Sequence, residues 1–171
     1  MPDDIKNLLR EAAASLKDPG DQQLAERLIA SLDATDILEW DRRLIAIVLA
    51  KSGKVEECRK IIKGIPGGWE RADALRGAGE ALMQSGDTER GTSLLDQAVE
   101  EAKQVQEQGN ESDQQCASAV LVDISELFCL RGNFDSAERI VECILPGIRQ
   151  QRALDRLREL RGDTFEDAAP D

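Results

Sequence analysis

No histidine or tyrosine occurs among the 171 residues, and aromatic side chains account for 3% of them. The missing histidine removes the commonest general base and the commonest metal ligand. Apolar runs of roughly eighteen residues, the length a bilayer-spanning helix needs, are absent too. No segment rich in Val, Ile or Thr alternates apolar with polar residues, so no strand is expected. Serine never stands in a nucleophile-elbow pattern. Cysteine is sparse: Cys58, Cys116, Cys129 and Cys143 lie scattered, without metal-ligand spacing. They read as free, buried thiols in a reducing, cytoplasmic setting. The stretch Gly64-Ile65-Pro66-Gly67-Gly68 lacks the Lys-Ser/Thr that a phosphate loop needs and fits a turn. Neither a cofactor nor a metal is expected, and the chain does not read as an enzyme.

Basic residues are the minority charge, 22 Lys and Arg against 34 Asp and Glu, for a net charge of −12. That balance disfavours nucleic acid and anionic membranes as partners. The start, Met1-Pro2-Asp3-Asp4, is acidic and does not read as a signal peptide. What is abundant is Ala, Leu, Glu, Gln and Arg, all good helix formers. Hydrophobic residues at 41% suffice for a packed core.

Glycine punctuates the chain regularly. Gly20, Gly53 and Gly86 stand 33 residues apart, and Gly132 follows after 46. Seven residues before each glycine sit Ala13, Ala46, Gly79 and Ser125, and five after it sit Ala25, Cys58, Gly91 and Ala137. All are small. Four residues before it come Leu16, Leu49, Leu82 and Phe128. Eight and nine after it come Leu28-Ile29, Ile61-Ile62, Leu94-Leu95 and Ile140-Val141, and twelve after it Leu32, Ile65, Ala98 and Ile144. Large apolar residues at helical spacing on both sides of a turn predict two amphipathic helices. Small residues at matched places let the two backbones cross closely. A single hairpin cannot bury its own apolar face, so the hairpins are expected to stack.

The period, the small crossing residues and the turn glycine resemble the tetratricopeptide repeat family, most closely over Arg71–Asp87, and the resemblance spans residues 3–147. The family's early tryptophan is absent at Leu9, Arg42, Leu75 and Leu121, and its closing proline is matched loosely by Pro66 and Pro146. The resemblance implies an all-α fold: a right-handed α-α superhelix, or tetratricopeptide-like solenoid, of four helical hairpins plus a C-terminal capping helix.

Helix pairs are expected near 3–17 and 21–32, near 36–51 and 55–63, from Trp69 across Gly86 to about Gln108, and near 113–130 and 134–145. The thirteen extra residues between Gly86 and Gly132 are expected to lengthen two helices by about two turns each. A capping helix over Ile148–Arg161 carries the stripe Ala153, Leu154, Leu157 and Leu160. One domain over 1–161 is expected, followed by an acidic, disordered tail over 162–171.

Ten residues before the turn glycine, the first three hairpins carry Arg10, Arg43 and Arg76, whereas the fourth has Val122. By the family resemblance this place faces a concave groove, where basic residues hold a peptide carboxylate. Trp40, Ile47, Glu80 and Met83 complete the candidate groove. The alternative reading pairs Arg43 with Glu39, and Arg76 with Asp73 or Glu80, on their own helices. The expected function is an intracellular adaptor or scaffold whose partner is another protein or peptide with an acidic segment or carboxylate. A cytoplasmic chaperone or regulatory subunit for a secreted or signalling client is the alternative, as is a homodimer formed through projecting third and fourth hairpins.

Overall fold

The computed structural model describes the backbone of residues 2–34 and 39–162, with side chains over 3–32 and 41–162. The described residues form α1 (Pro2–Ser15), α2 (Pro19–Ala34), α3 (Glu39–Lys51), α4 (Val55–Lys63), α5 (Trp69–Gln84), α6 (Thr88–Gln108), α7 (Glu111–Leu130), α8 (Phe134–Glu142) and α9 (Ile148–Arg161). No strand occurs among them, so the fold is all-α. The expected tail falls outside the described residues from Asp163 onward. The contacts divide the chain into two compact units, Met1–Glu101 and Ala102–Asp171. The boundary falls inside α6.

In the first unit α1 packs on α2, α3 on α4, and α3 also lies against α1, α2 and α5. In the second, α7 packs on α8 and α9 closes against both. The matched apolar places form the two cores. Leu16, Leu49, Leu82 and Phe128 are all buried, as are Leu32, Ile65, Ala98 and Ile144. Of the small crossing residues only Ala13 is half-buried.

Three turns share one geometry. Gly53, Gly86 and Gly132 have φ of 78°, 92° and 75°, a left-handed conformation that other residues adopt only with strain. The residue after each glycine donates its N–H five positions back: Lys54 to Leu49 O, Asp87 to Leu82 O and Asn133 to Phe128 O, each at 2.9 Å. These bonds satisfy carbonyls that the helix end would otherwise leave open.

The first turn departs from the expected register. Gly20 lies inside α2, and no described non-glycine residue has positive φ. Asp18 Oδ1 accepts from Gly20 N at 2.8 Å and from Asp21 N at 3.1 Å. Asp18 is thus the N-cap and Pro19 the first helical residue, the place proline prefers. That start signal moves the turn to residues 16–18, ahead of the glycine.

The extra length between the third and fourth turns is unevenly shared. α6 has 21 residues where α4 has 9, while α7 has 20 where α5 has 16. About two turns apiece were expected, but most of the gain lies in α6. The lengthened ends hold each other through amide groups. Gln106 Nε2 donates to Ser118 Oγ at 2.9 Å, and Gln114 Nε2 donates to Gln106 O at 2.9 Å.

Two linkers repeat each other. Gly68 (φ 137°, ψ −168°) precedes α5, and Gly147 (φ 148°, ψ −163°) precedes α9. Each follows a buried isoleucine, Ile65 or Ile144. α9 is therefore built as the first helix of a further hairpin, and Ala153 and Leu157 of its stripe are buried while Leu154 and Leu160 are half-buried.

Candidate functional site

The two arginines on neighbouring first helices converge on one carboxylate. Arg43 Nη1, from α3, donates to Asp73 Oδ2 on α5. Arg76 holds the other oxygen, with Nη2 at 2.7 Å and Nε at 2.9 Å from Asp73 Oδ1, and its Nη1 reaches Glu80 Oε2 at 3.3 Å. The side chains of Arg43, Asp73 and Arg76 are 19%, 13% and 18% exposed. Two guanidiniums and two carboxylates therefore make a neutral, half-buried quartet that fastens α3 to α5.

Arg10 does not join this group. It is exposed, and its Nη1 donates to Asn7 Oδ1 at 2.9 Å on its own helix. A continuous three-arginine ladder is thus not assembled. Ile47 packs on Gly77: a Cβ built on that glycine would stand 2.8 Å from Ile47 Cδ1. Met83, expected in the groove, is 5% exposed. Its Cγ lies 2.5 Å from where a Cβ on Gly91 would be, so it fills the space that the missing side chain leaves inside its own hairpin. The Trp40 side chain lies outside the described residues.

Asp73 is the residue that organises the site, and the sequence reading gave it only a place beside Arg76. Its link to Arg43 spans 30 residues, as do Lys51–Asp21 at 2.5 Å, Arg71–Glu101 at 2.5 Å and Arg156–Glu126 at 3.2 Å. In the Arg43 and Arg156 pairs both partners lie on first helices. A residue there meets the place one helical turn before its own equivalent on the next, which is the repeat length shortened by one turn. Opposite charges at that separation are a usable sequence signal.

Of the thiols expected to be buried, Cys58 and Cys129 are, and these two offer little reactivity, whereas Cys116 and Cys143 are half-buried. All four cysteines are free. Burial pushes Cys58 from the ordinary 9.0 up to about 12, against the pull of Arg59. Burial also raises Cys129, and the charge of Glu126 adds to the effect. A buried neutral thiol is a poor nucleophile. Among the described residues no group of His, Cys, Asp or Glu side chains could hold a metal ion, and no helix is long and apolar enough to cross a membrane.

A groove of about 370 Å³ opens between α1 and α4. Leu8 and Ile61 form its apolar part, with Asp4, Glu11, Glu57 and Lys60 around them. Glu11 Oε2 accepts from Lys54 Nζ at 2.7 Å. Comparison of the chain with protein-family models, with curated proteins and with solved structures finds no match.

Proposed function

We propose that the chain is a tetratricopeptide-like solenoid that acts inside the cell as an adaptor or scaffold, binding a partner protein and not performing catalysis. The observation that carries this reading is the strip along α3 and α5. No side chain from Asp41 to Ala50 or from Trp69 to Met83 is fully exposed. Within that recessed stretch Arg43, Leu44, Ile47, Asp73, Arg76 and Glu80 keep part of their surface. Their geometry is fixed before any partner arrives, by the shared Asp73 and by Ile47 on Gly77, so little side-chain entropy remains to be lost on binding. Arginine beside an apolar anchor is a common make-up of binding hot spots. Because both guanidiniums already hold Asp73, the strip favours a segment of mixed polarity over a purely acidic one. The four free thiols support a reducing compartment.

A photoreactive phenylalanine analogue placed at Glu80, and separately at exposed Ser93 on α6, tests this in cells. The expected result is one stoichiometric crosslinked protein from position 80 and none from position 93. Equal, unselective crosslinking from both positions would overturn the reading.

A further inference from the structure

α1, α2, α4, α5, α6, α7 and α8 each carry an acidic residue in the first turn, where the helix dipole favours negative charge. α9 carries none. Its opening instead reads Ile148-Arg149-Gln150-Gln151-Arg152, with cations where the dipole disfavours them. Arg149 and Arg152 are exposed, and neither pairs with a carboxylate among the described residues. Ile148 is 73% exposed, the most of any large apolar side chain described, and Leu145 just before it is 41% exposed. Fold stability explains none of these choices: the arginines oppose the dipole and the isoleucine wets its side chain.

The groove between α1 and α4 has the opposite character. Its apolar residues, Leu8 and Ile61, are half-buried, and three carboxylates, Asp4, Glu11 and Glu57, surround them with one lysine, Lys60. Each surface supplies what the other lacks. We propose that the first turn of α9 docks into the α1–α4 groove of a second copy of the chain. Ile148 lies against Leu8 and Ile61, while Arg149 and Arg152 approach Asp4 and Glu57. Ile148 and Arg152, four residues apart, share a helix face, which lets one turn present both to the groove. The volume of about 370 Å³ accommodates an isoleucine side chain together with arginine stems. Lys54 neutralises Glu11, and Lys60 opposes the incoming arginines, so the contact is weak and salt-sensitive. Donor and acceptor are different surfaces, so a single contact joins two copies head-to-tail and leaves the pair with one vacant groove and one vacant α9.

Light scattering and sedimentation of the full chain over rising concentration test this at low and high salt. The wild-type mass should climb beyond a dimer with concentration and fall back with salt. Arg149→Glu with Arg152→Glu should remove this association at least tenfold, and so should Asp4→Lys with Glu57→Lys. Circular dichroism should stay unchanged for both, since the altered residues lie at the surface. An equimolar mixture of the groove variant with Ile148→Asp, which disables α9 while keeping both arginines, should form a dimer and nothing larger, because one copy retains a working groove and the other a working α9. Ile148→Asp thus disables α9 by removing its apolar contact and adding a carboxylate, with Arg149 and Arg152 left in place, and Lys60→Glu should tighten the wild-type association. A wild-type chain that stays monomeric throughout, variants that associate like wild type, or a mixture that stays monomeric would each overturn the proposal.

Discussion

α5 and α9 begin alike and end differently. Both follow a buried isoleucine and a glycine in the same unusual conformation, and both lie against the first helix of the preceding hairpin. The next helix then crosses α5 at two glycines, where a Cβ on Gly79 would meet Gly91 O at 2.9 Å. The places of Gly77, Gly79 and Leu82 are occupied in α9 by Arg156, Arg158 and Arg161. The two helices therefore share a backbone plan and differ in side-chain volume and charge along the face where α6 crosses α5. The same contrast appears between neighbouring first helices. Ile47 rests dry on Gly77 in the first unit, and the matching places in the second hold the exposed ion pair Glu126–Arg156.

Giving α5 the residue of α9 should break this difference most severely. Gly79→Arg drives a long cation into a backbone crossing with no room even for a Cβ. A cost of about 4 kcal/mol or more is expected, the range reserved for overpacking combined with a buried unpaired charge. Urea unfolding followed by circular dichroism measures it, and loss of helix from the third hairpin should accompany it. Arg158→Gly, the reverse exchange, should cost only about 1 kcal/mol, the helix penalty of glycine. Similar costs for the two exchanges would mean that the crossing does not distinguish α5 from α9.

Next in size is the packing that α9 retains. Leu157 is buried where α5 has the buried Ala78, while Leu154 is half-buried where α5 has the buried Leu75. Leu157→Ala should cost about 2–3 kcal/mol, and Leu154→Ala clearly less, because cavity cost follows burial. The difference in unfolding midpoint between the two variants measures how far α9 is covered on its open side.

Helix placement was legible because apolar periodicity and turn glycines act locally. Gly53, Gly86 and Gly132 turn where the spacing places them. Gly20 fails because Asp18 and Pro19, two stronger start signals, lie just ahead of it. In the candidate site the pairing of Arg76 with Asp73 and Glu80 on its own helix was legible, but the pairing across helices was not. Arg43 and Arg76 share Asp73, but the Arg43 link depends on contact between helices and spans 30 residues of sequence. Met83 was misplaced for a similar reason: the family pattern assigns it a face, but the missing side chain of Gly91 draws it inward. The uneven lengthening of α6 and α7 depends on where the linker falls, and Gly109-Asn110 leaves only a short one.

A smaller effect comes from pH. Cys58 stands at the crossing place that Ala25 and Ala137 occupy in other hairpins, and it is wholly buried. Its folded pKa is raised from 9.0 to about 12. The neutral thiol therefore contributes its full stability below pH 9, where neither folded nor unfolded chain ionises it. Above that pH the unfolded chain loses the proton first, and stability should fall by about 1.4 kcal/mol per pH unit until the folded thiol titrates. Cys58→Ala, which matches the other crossings, should flatten the slope between pH 9 and pH 11. An unchanged slope would place the thiol in solvent and undo the matched register of α4.

The smallest expected difference separates the two ion pairs that join first helices. Arg43–Asp73 has side chains 19% and 13% exposed, whereas Arg156–Glu126 has 41% and 43%. Coulomb attraction weakens as water fills the space around a pair, and holding two long side chains together costs entropy in both cases. Asp73 is additionally fixed by Arg76 at 2.7 Å, so Arg43 meets a carboxylate that is already oriented. Double-mutant cycles, built from Arg43→Met with Asp73→Asn and from Arg156→Met with Glu126→Gln, should give a coupling of about 1 kcal/mol for the first pair and less than about 0.5 kcal/mol for the second. Raising the salt to about 1 M shortens the screening length to about 3 Å and should erase the second coupling while leaving most of the first. The single variant Asp73→Asn should cost more than the coupling itself, because it leaves two neighbouring guanidiniums without the carboxylate that separates them. Equal couplings with equal salt dependence would show that the α3–α5 strip is as wet as the outer face of α9, and the preformed surface on which the binding role rests would lose its physical basis.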